Sequence, residues 1–438
     1  MIIPQYKDFR KSNHLFQNSS YEKASFLDIF TPKRIVEKIY KEIPDDVLFI
    51  GYELDNPDEP FFIPFNREKR ISILIQGPNG SGKSKLYQTI MYDNLHLRQG
   101  RPVLDCGAKL DSQTIRFPNT NPKFVNRIKK FGGRPTGYPY AKYITPEFLN
   151  IPGAIGERFS LSVKGLTELI KFSPTIGMND TFNIFNTNMT DSAGTALMEF
   201  FMSEEPPYTI DELSKKIENH VKKNPQVKQL PNQFKMLTYT KRLTDSYISY
   251  PKLIKENKIL CVEFQIASAD ENNIQAVFLN NIIQNVMQDR TLSILSNNQK
   301  GYLDKPPVIG SDEADIFAGA KTTTSETIRE LLTKYREINP QKASEGINTS
   351  GCDLLLATQH LSFLDPYIIA EADYIITAKI RNKSDAEILR NRGLSADDIY
   401  FLQHELPYPN TYPKPFAVIF PDNSIGLMYP KETLTWMR

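Results

Sequence analysis

Three groups of residues have the types and spacing to handle a nucleoside triphosphate. The first is Gly77-Pro78-Asn79-Gly80-Ser81-Gly82-Lys83-Ser84, which fits G-x-x-x-x-G-K-[ST] without a gap. Its glycines let successive backbone N–H groups turn inward around a phosphate. A helix starting near Lys83 adds the positive end of its dipole. Lys83 is suited to reach the β- and γ-phosphates of ATP and Ser84 to hold Mg²⁺, with the backbone from Gly77 to Lys85 as the nucleotide-binding segment. The second group is Val308-Ile309-Gly310-Ser311-Asp312-Glu313. A carboxylate at the end of a buried strand can orient Mg²⁺, which assigns Asp312 to the metal. The next one can polarise the attacking water, which assigns Glu313 to that step. The third is Leu354-Leu355-Leu356-Ala357-Thr358-Gln359-His360. An apolar strand ending in Gln359 can set an uncharged amide beside the γ-phosphate, provided that the sheet order brings it there.

The surrounding pattern supplies the elements that must position these groups. Residues 71–76 read as a buried strand leading into the glycine-rich turn, and 101–106 ("RPVLDC") as a second short strand. Strand-helix alternation resumes at "KILCVEF" (258–264). An apolar helix follows at about 272–288, then the strand "PVIGSDEAD", a helix at 325–337 and the strand "CDLLLATQ". Next come "DYIITAKI", a helix near 384–392 and a hairpin-like pair, "FAVIF" and "IGLMY". Such alternation gives an α/β fold, a mainly parallel sheet covered by helices. Residues 1–65 read as a lead-in, with a helix at "TPKRIVEKIYKEI" and a strand at "DVLFIGYEL". Residues 66–106 and 255–438 form the core. Residues 107–254 lose the rhythm and read as a mostly helical insertion, with helices at "LTELIKF" and "TIDELSKKIENHVKK", the latter carrying capping-box spacing at Thr209 and Glu212.

The 438 residues are 40% hydrophobic and 24% charged, an ordinary globular composition. A formal charge of +2 excludes a basic coat but not a local basic channel. Three scattered cysteines form neither a disulfide framework nor a metal-spaced cluster, which suits a reducing compartment. No run is long and apolar enough to span a membrane, and "MIIPQYKDFRKSN" lacks a signal-peptide core. The expected location is cytoplasmic.

Taken in order, these stretches resemble the HerA/FtsK superfamily of motor ATPases, which includes conjugative coupling proteins and viral genome-packaging ATPases. The resemblance covers about residues 48–106 and 255–430. It is carried by "LFIGYEL…IPF", the phosphate loop, "VLDCGAK" with Asp105, "KILCVEF", "GSDEADIF", "LLLATQHLSFLDPYIIAEADYIITAKIRNKSDAEIL" and "FAVIFPDNSIGLMYP". It implies a RecA-like P-loop NTPase core, a ring (most often a hexamer) with nucleotide between subunits, and DNA threaded through the channel. Gln359 would then couple hydrolysis to movement. A nuclease, relaxase or capsid partner would fit the family's settings.

Two features depart from the family pattern. The Arg-Lys pair usual before the sensor strand is replaced by Asn348-Thr349-Ser350. The trans-acting arginine is then sought at Arg70, Arg336 or Arg381. The segment 107–254 matches no motif. Its richest basic stretch, "NRIKKFGGRPTGYPYAKY", interleaves Arg127, Lys129, Lys130, Arg134 and Lys142 with Gly, Tyr138 and Tyr140. It reads either as a mobile DNA-contacting loop or as a solvated basic loop. The functional expectation is an ATP-dependent DNA translocase. The alternative is a protein-translocating or remodelling ATPase that DNA does not stimulate.

Overall fold

The structure is a computed structural model that describes residues 43–108, 114–130, 133–146, 167–170, 215, 219, 249–263, 272–319, 323–333, 350–406 and 414–435. In chain order the strands are β1 (Val47–Glu53), β2 (Pro60–Pro64), β3 (Ser72–Gln76), β4 (Val103–Ala108), β5 (Lys142–Pro146), β6 (Thr167–Ile170), β7 (Ile259–Glu263), β8 (Val308–Ser311), β9 (Asp353–Thr358), β10 (Tyr374–Thr377), β11 (Phe416–Ile419) and β12 (Ile425–Pro430). The helices are α1 (Lys83–Gln88), α2 (Pro122–Lys130), α3 (Tyr250–Asn257), α4 (Asn272–Leu295), α5 (Asp315–Ala318), α6 (Thr323–Thr333), α7 (Pro366–Ala370), α8 (Lys383–Asn391) and α9 (Ala396–Tyr400). A π-helical stretch, Thr89–Arg98, continues α1.

All the strands join one sheet in the order β2-β1-β12-β11-β10-β3-β9-β8-β4-β7-β5-β6. From β10 to β6 every neighbouring pair is parallel, and from β2 to β10 every pair is antiparallel. From β10 to β7 the parallel strands are buried on both faces, as their near-continuous apolar sequences require. Side chains alternate with period two. Leu74, Leu104, Leu260, Ile309, Leu354 and Leu356 share one face with Ile282, Ile283 and Val286 of α4 and Ile328 and Leu331 of α6. Ile73, Ile75, Val103, Ile259 and Leu355 point the other way, against Leu86 and Tyr87 of α1 and Ile90 and Met91 beyond it.

Buried charge fixes the amino end of β3. Asp353 accepts from the Ile71 N–H at 3.0 Å and faces the Arg101 guanidinium at 3.2 Å, while Asp373 accepts from the Ser72 N–H at 2.7 Å. Asp353 is fully buried, and burial raises its pKa against the pull of Arg101. Removing one member of such a pair strands the other charge. Asp353→Ala is therefore expected to lose about 3–5 kcal/mol of stability, measured by urea unfolding. A loss below about 1 kcal/mol would show that the pair does not hold this end of the sheet.

Three sequence expectations change. First, "LTELIKF" was expected to be helical, but Thr167–Ile170 is a strand, paired in parallel with β5 from Tyr143↔Thr167 to Pro146↔Ile170. Leu166, Leu169 and Ile170 have helical spacing, but a run this short fits either element, and the open edge of β5 supplies hydrogen-bond partners. Second, β5 and β6 bring two strands of the 107–254 segment into the core sheet. The rest of that segment is mostly outside the described residues, including the helix expected at 209–223 apart from residues 215 and 219. Third, β1 and β2 of the lead-in are not separate from the core. β1 pairs with β12, Gly51 opposite Pro430, and so extends the same sheet. The helix expected at 31–43 lies outside the described residues.

Candidate functional site

The parallel strands β3, β9, β8 and β4 are adjacent, and each carries a residue of interest at its carboxyl end. That end is where open α/β sheets bind ligands. The phosphate loop follows β3, Gln359 follows β9, Asp312 and Glu313 follow β8, and Asp105 lies near the end of β4. Because β9 is inserted between β3 and β8, Gln359 stands between the phosphate loop and the acidic pair.

The loop is anchored at both ends. The Gly77 N–H donates to the Thr358 carbonyl at 3.1 Å, and the Leu86 N–H to the Gly82 carbonyl at 3.0 Å. A Cβ on Gly77 would lie 2.5 Å from Ser81 Oγ, so the chain closes here only around glycine. Gly82 has φ +95°, the left-handed conformation needed to turn the loop into α1. Ser81 Oγ is buried and has no hydrogen-bond partner among the described residues. A buried hydroxyl left without a partner in this loop fits a bound phosphate oxygen.

Lys83 is buried. Its ammonium lies 3.3 Å from the Asp312 carbonyl oxygen and 3.5 Å from Asp312 Oδ1. The lysine of the first motif and the carboxylate of the second therefore meet across two strands. Glu313 is half-buried, and its backbone N–H donates to Ser311 Oγ at 3.2 Å, which orients the turn after β8. Ser84 and Asp312 are the residues that would hold Mg²⁺, an ion that neutralises charge on phosphate oxygens when bound. Lys85 is the last residue of the expected nucleotide-binding segment. Its side chain is buried, with the ammonium 4.7 Å from the Phe124 ring centroid, and burial lowers its pKa to about 8.

Two supporting groups lie outside the three nucleotide-handling stretches. Gln76, the last residue of β3, donates from Nε2 to the Gln359 carbonyl at 2.9 Å and accepts from Thr377 Oγ1 at 2.6 Å. It ties the ends of β9 and β10 to the root of the phosphate loop. Asp105 accepts from Tyr87 Oη at 3.0 Å and Tyr92 Oη at 2.5 Å, so the helix after the loop is clamped to β4. Burial raises the Asp105 carboxyl to about 6, with Asp312 adding to the shift. In the sequence Gln76 shows only as a polar residue at the last place of an apolar strand, and Asp105 as a carboxylate inside "RPVLDC".

The arginine candidates separate. Arg70 precedes β3 at the opposite edge of the sheet, roughly 20 Å of strand from Gly77. It is buried and lies in the field of Asp353. Arg381 is exposed on the loop after β10, at the same edge as the phosphate loop. Arg336 is outside the described residues.

The basic stretch at 126–143 is not a continuous loop. Asn121 caps α2 by accepting from the Lys123 N–H at 3.1 Å, and Arg127, Lys129 and Lys130 fall on that helix. Arg127 pairs with Glu432 at 3.5 Å and lies 4.5 Å from the Tyr52 ring centroid, and Lys130 pairs with Asp58. Tyr138 is fully buried, donating to the Tyr92 carbonyl, while Tyr140 bonds His96. Arg134 lies in the connection before β5, and Lys142 on β5 itself.

A phosphate loop between a central parallel strand and a helix, with the acidic strand two places away and a third strand between them, decides the fold. It is a RecA-like P-loop NTPase core. No protein-family model matches the chain, and no curated protein matches it by sequence. Among solved structures this NTPase core is similar to VirB4 of Thermoanaerobacter pseudethanolicus, at 14% identity and TM-score 0.48 over 89% of this chain and 97% of that one. It is also similar to the bacterial conjugative coupling protein TrwBdeltaN70, at 12% identity and TM-score 0.47 over 93% and 95%. A third similar structure is the genome packaging NTPase B204 from Sulfolobus turreted icosahedral virus 2 in complex with AMPPCP, at 13% identity and TM-score 0.30 over 83% and 98%. Among the described residues no helix is long and apolar enough to cross a membrane.

Proposed function

We propose that this chain is an ATP-hydrolysing motor subunit that moves DNA, acting in a ring, most often a hexamer. The observation that carries the reading is the meeting of Lys83, Asp312, Glu313 and Gln359 at one edge of adjacent strands. Lys83 is held by Asp312 across the gap where the phosphates belong. When a nucleoside triphosphate enters, Lys83 exchanges these oxygens, the carboxylate at a long 3.5 Å, for phosphate oxygens. Asp312, with Ser84, would then hold Mg²⁺. Glu313, next along the turn, accepts the proton of the attacking water. The Gln359 amide is attached through its backbone to Gln76, so a change at the γ-phosphate is felt at both β3 and β10. Arg381 is the described arginine best placed to act in a neighbour's site.

DNA is proposed as the moving substrate because the sequence resembles DNA-handling motors. A motor of this kind holds the backbone rather than base edges, which would stall it. Duplex binding is then expected to weaken with salt, with a log–log slope of about −0.9 per phosphate neutralised. Replacing Lys129, Lys130 and Arg134 together by Ala should shrink that slope and leave basal hydrolysis unchanged. If the triple variant binds as wild type does, the contacts lie elsewhere. If wild type shows no salt-sensitive binding, a protein-translocating motor becomes the better reading. Light scattering with a non-hydrolysable ATP analogue should give a ring-sized species, and monomer alone would contradict the ring.

A further inference from the structure

A buried carboxylate closes on the turn that follows Gln359, and the nucleotide-handling groups do not use it. Asp385 is the third residue of α8, a place where a carboxylate ordinarily faces water and complements the helix dipole. Here it is fully buried, a state that such a group adopts only with partners. Both oxygens are spent on the turn after β9. Oδ1 accepts from the Ser362 N–H at 2.9 Å, and Oδ2 lies 3.1 Å from His360 Nδ1. A carboxylate only accepts, so the ring donates from Nδ1. The Phe363 ring meets the imidazole edge-on, with centroids 4.9 Å apart. The start of α8 is itself fixed, because Asn382 caps it by accepting from the Ser384 N–H at 2.9 Å.

These contacts bracket Gln359. From the strand side, Gln76 holds the Gln359 carbonyl at 2.9 Å, and Thr358 Oγ1 donates to the His360 carbonyl at 3.0 Å. From the far side, Asp385 grips the His360 ring and the Ser362 backbone. An amide that must meet a phosphate needs this kind of support. A misplacement of about 1 Å can cost on the order of 10²-fold in rate, even when its cause lies outside the chemistry.

We propose that His360 and Asp385 are positioning residues, fixing the turn after β9 so that the Gln359 amide faces the γ-phosphate. This deepens the reading of Gln359 given above and rests on it. The test uses the full chain and reads steady-state ATP turnover and the affinity for a fluorescent ATP analogue on one preparation. His360→Phe keeps a ring against Phe363 and removes the donor. Its turnover at saturating ATP is expected to fall roughly 10- to 100-fold, with affinity near the wild-type level. His360→Asn keeps an N–H on the atom that takes the place of Nδ1 and should restore most of the turnover. Combining His360→Phe with Asp385→Leu leaves no buried charge without a partner, and the loss of turnover should persist. Recovery in that double variant would trace the loss to a stranded carboxylate and overturn the proposal. In a Gln359→Ala background His360→Phe should add nothing, because groups that act through one another are not additive. A full further loss in that background overturns the proposal. Affinity that falls in step with turnover overturns it too, since the pair then only holds the fold. If Gln359→Ala slows turnover and His360→Phe does not, only this inference fails. If Gln359→Ala turns over as wild type does, the reading of Gln359 fails with it.

Discussion

Glu313→Gln is expected to leave ATP binding near the wild-type level while turnover falls by roughly 10²- to 10⁴-fold. The separation follows from where the groups lie. In the proposed site, binding uses the loop amides, the buried Ser81 hydroxyl and Lys83, all after β3. Proton transfer uses a carboxylate after β8, two strands away. The amide of Gln has the same shape as the carboxylate but accepts no proton at neutral pH. The backbone position is unchanged as well, because the Glu313 N–H donates to Ser311 Oγ whatever the side chain. Fluorescent-nucleotide titration and phosphate release measured on one preparation read the two effects. Normal turnover by the variant would remove Glu313 as the base and shift attention to Asp312.

Lys83→Ala should act differently, with affinity itself falling by roughly 10- to 100-fold and turnover dropping below detection. The substitution removes the ammonium that bridges toward Asp312 and leaves that carboxylate without the lysine in a buried setting. Some loss of stability is therefore expected alongside the loss of binding. A thermal melt without nucleotide measures the first effect. The shift of that melt on adding ATP measures the second, since a ligand stabilises only the state that binds it. Wild type should shift upward with ATP and Lys83→Ala should not. An equal shift in both would mean that the nucleotide, if bound, does not use this loop.

The chemistry was more legible in the sequence than the sheet's edges were. The phosphate loop, the acidic pair and the strand before Gln359 all appear as buried apolar runs that stop at polar residues, a local signal. The placement of Gln359 between loop and acids was not local. It depended on β9 entering between β3 and β8, which the chain order does not reveal. The supporting contacts of Gln76 and Asp105 are non-local for the same reason, since each is made with partners on other elements. "LTELIKF" was misread because seven residues with helical spacing carry too little pattern to outweigh an open strand edge. The basic stretch at 126–143 looked like one loop because glycines and tyrosines suggest mobility. Asn121 and Pro122 start a helix there instead, and Tyr138 is drawn into the core. The pairing of Asp385 with His360 carried no signal at all, because only folding brings the two together.

The central claim is that hydrolysis at this edge of the sheet drives movement along DNA. The measurement that tests it most directly is the steady-state ATPase rate of the full chain with and without duplex DNA, at fixed salt and saturating ATP. The account predicts a basal rate that rises several-fold with duplex, depends on Glu313 in both conditions and loses its stimulation as salt is raised. A Glu313-dependent rate that duplex DNA leaves unchanged at every salt concentration would contradict the DNA motor and leave only the ATPase.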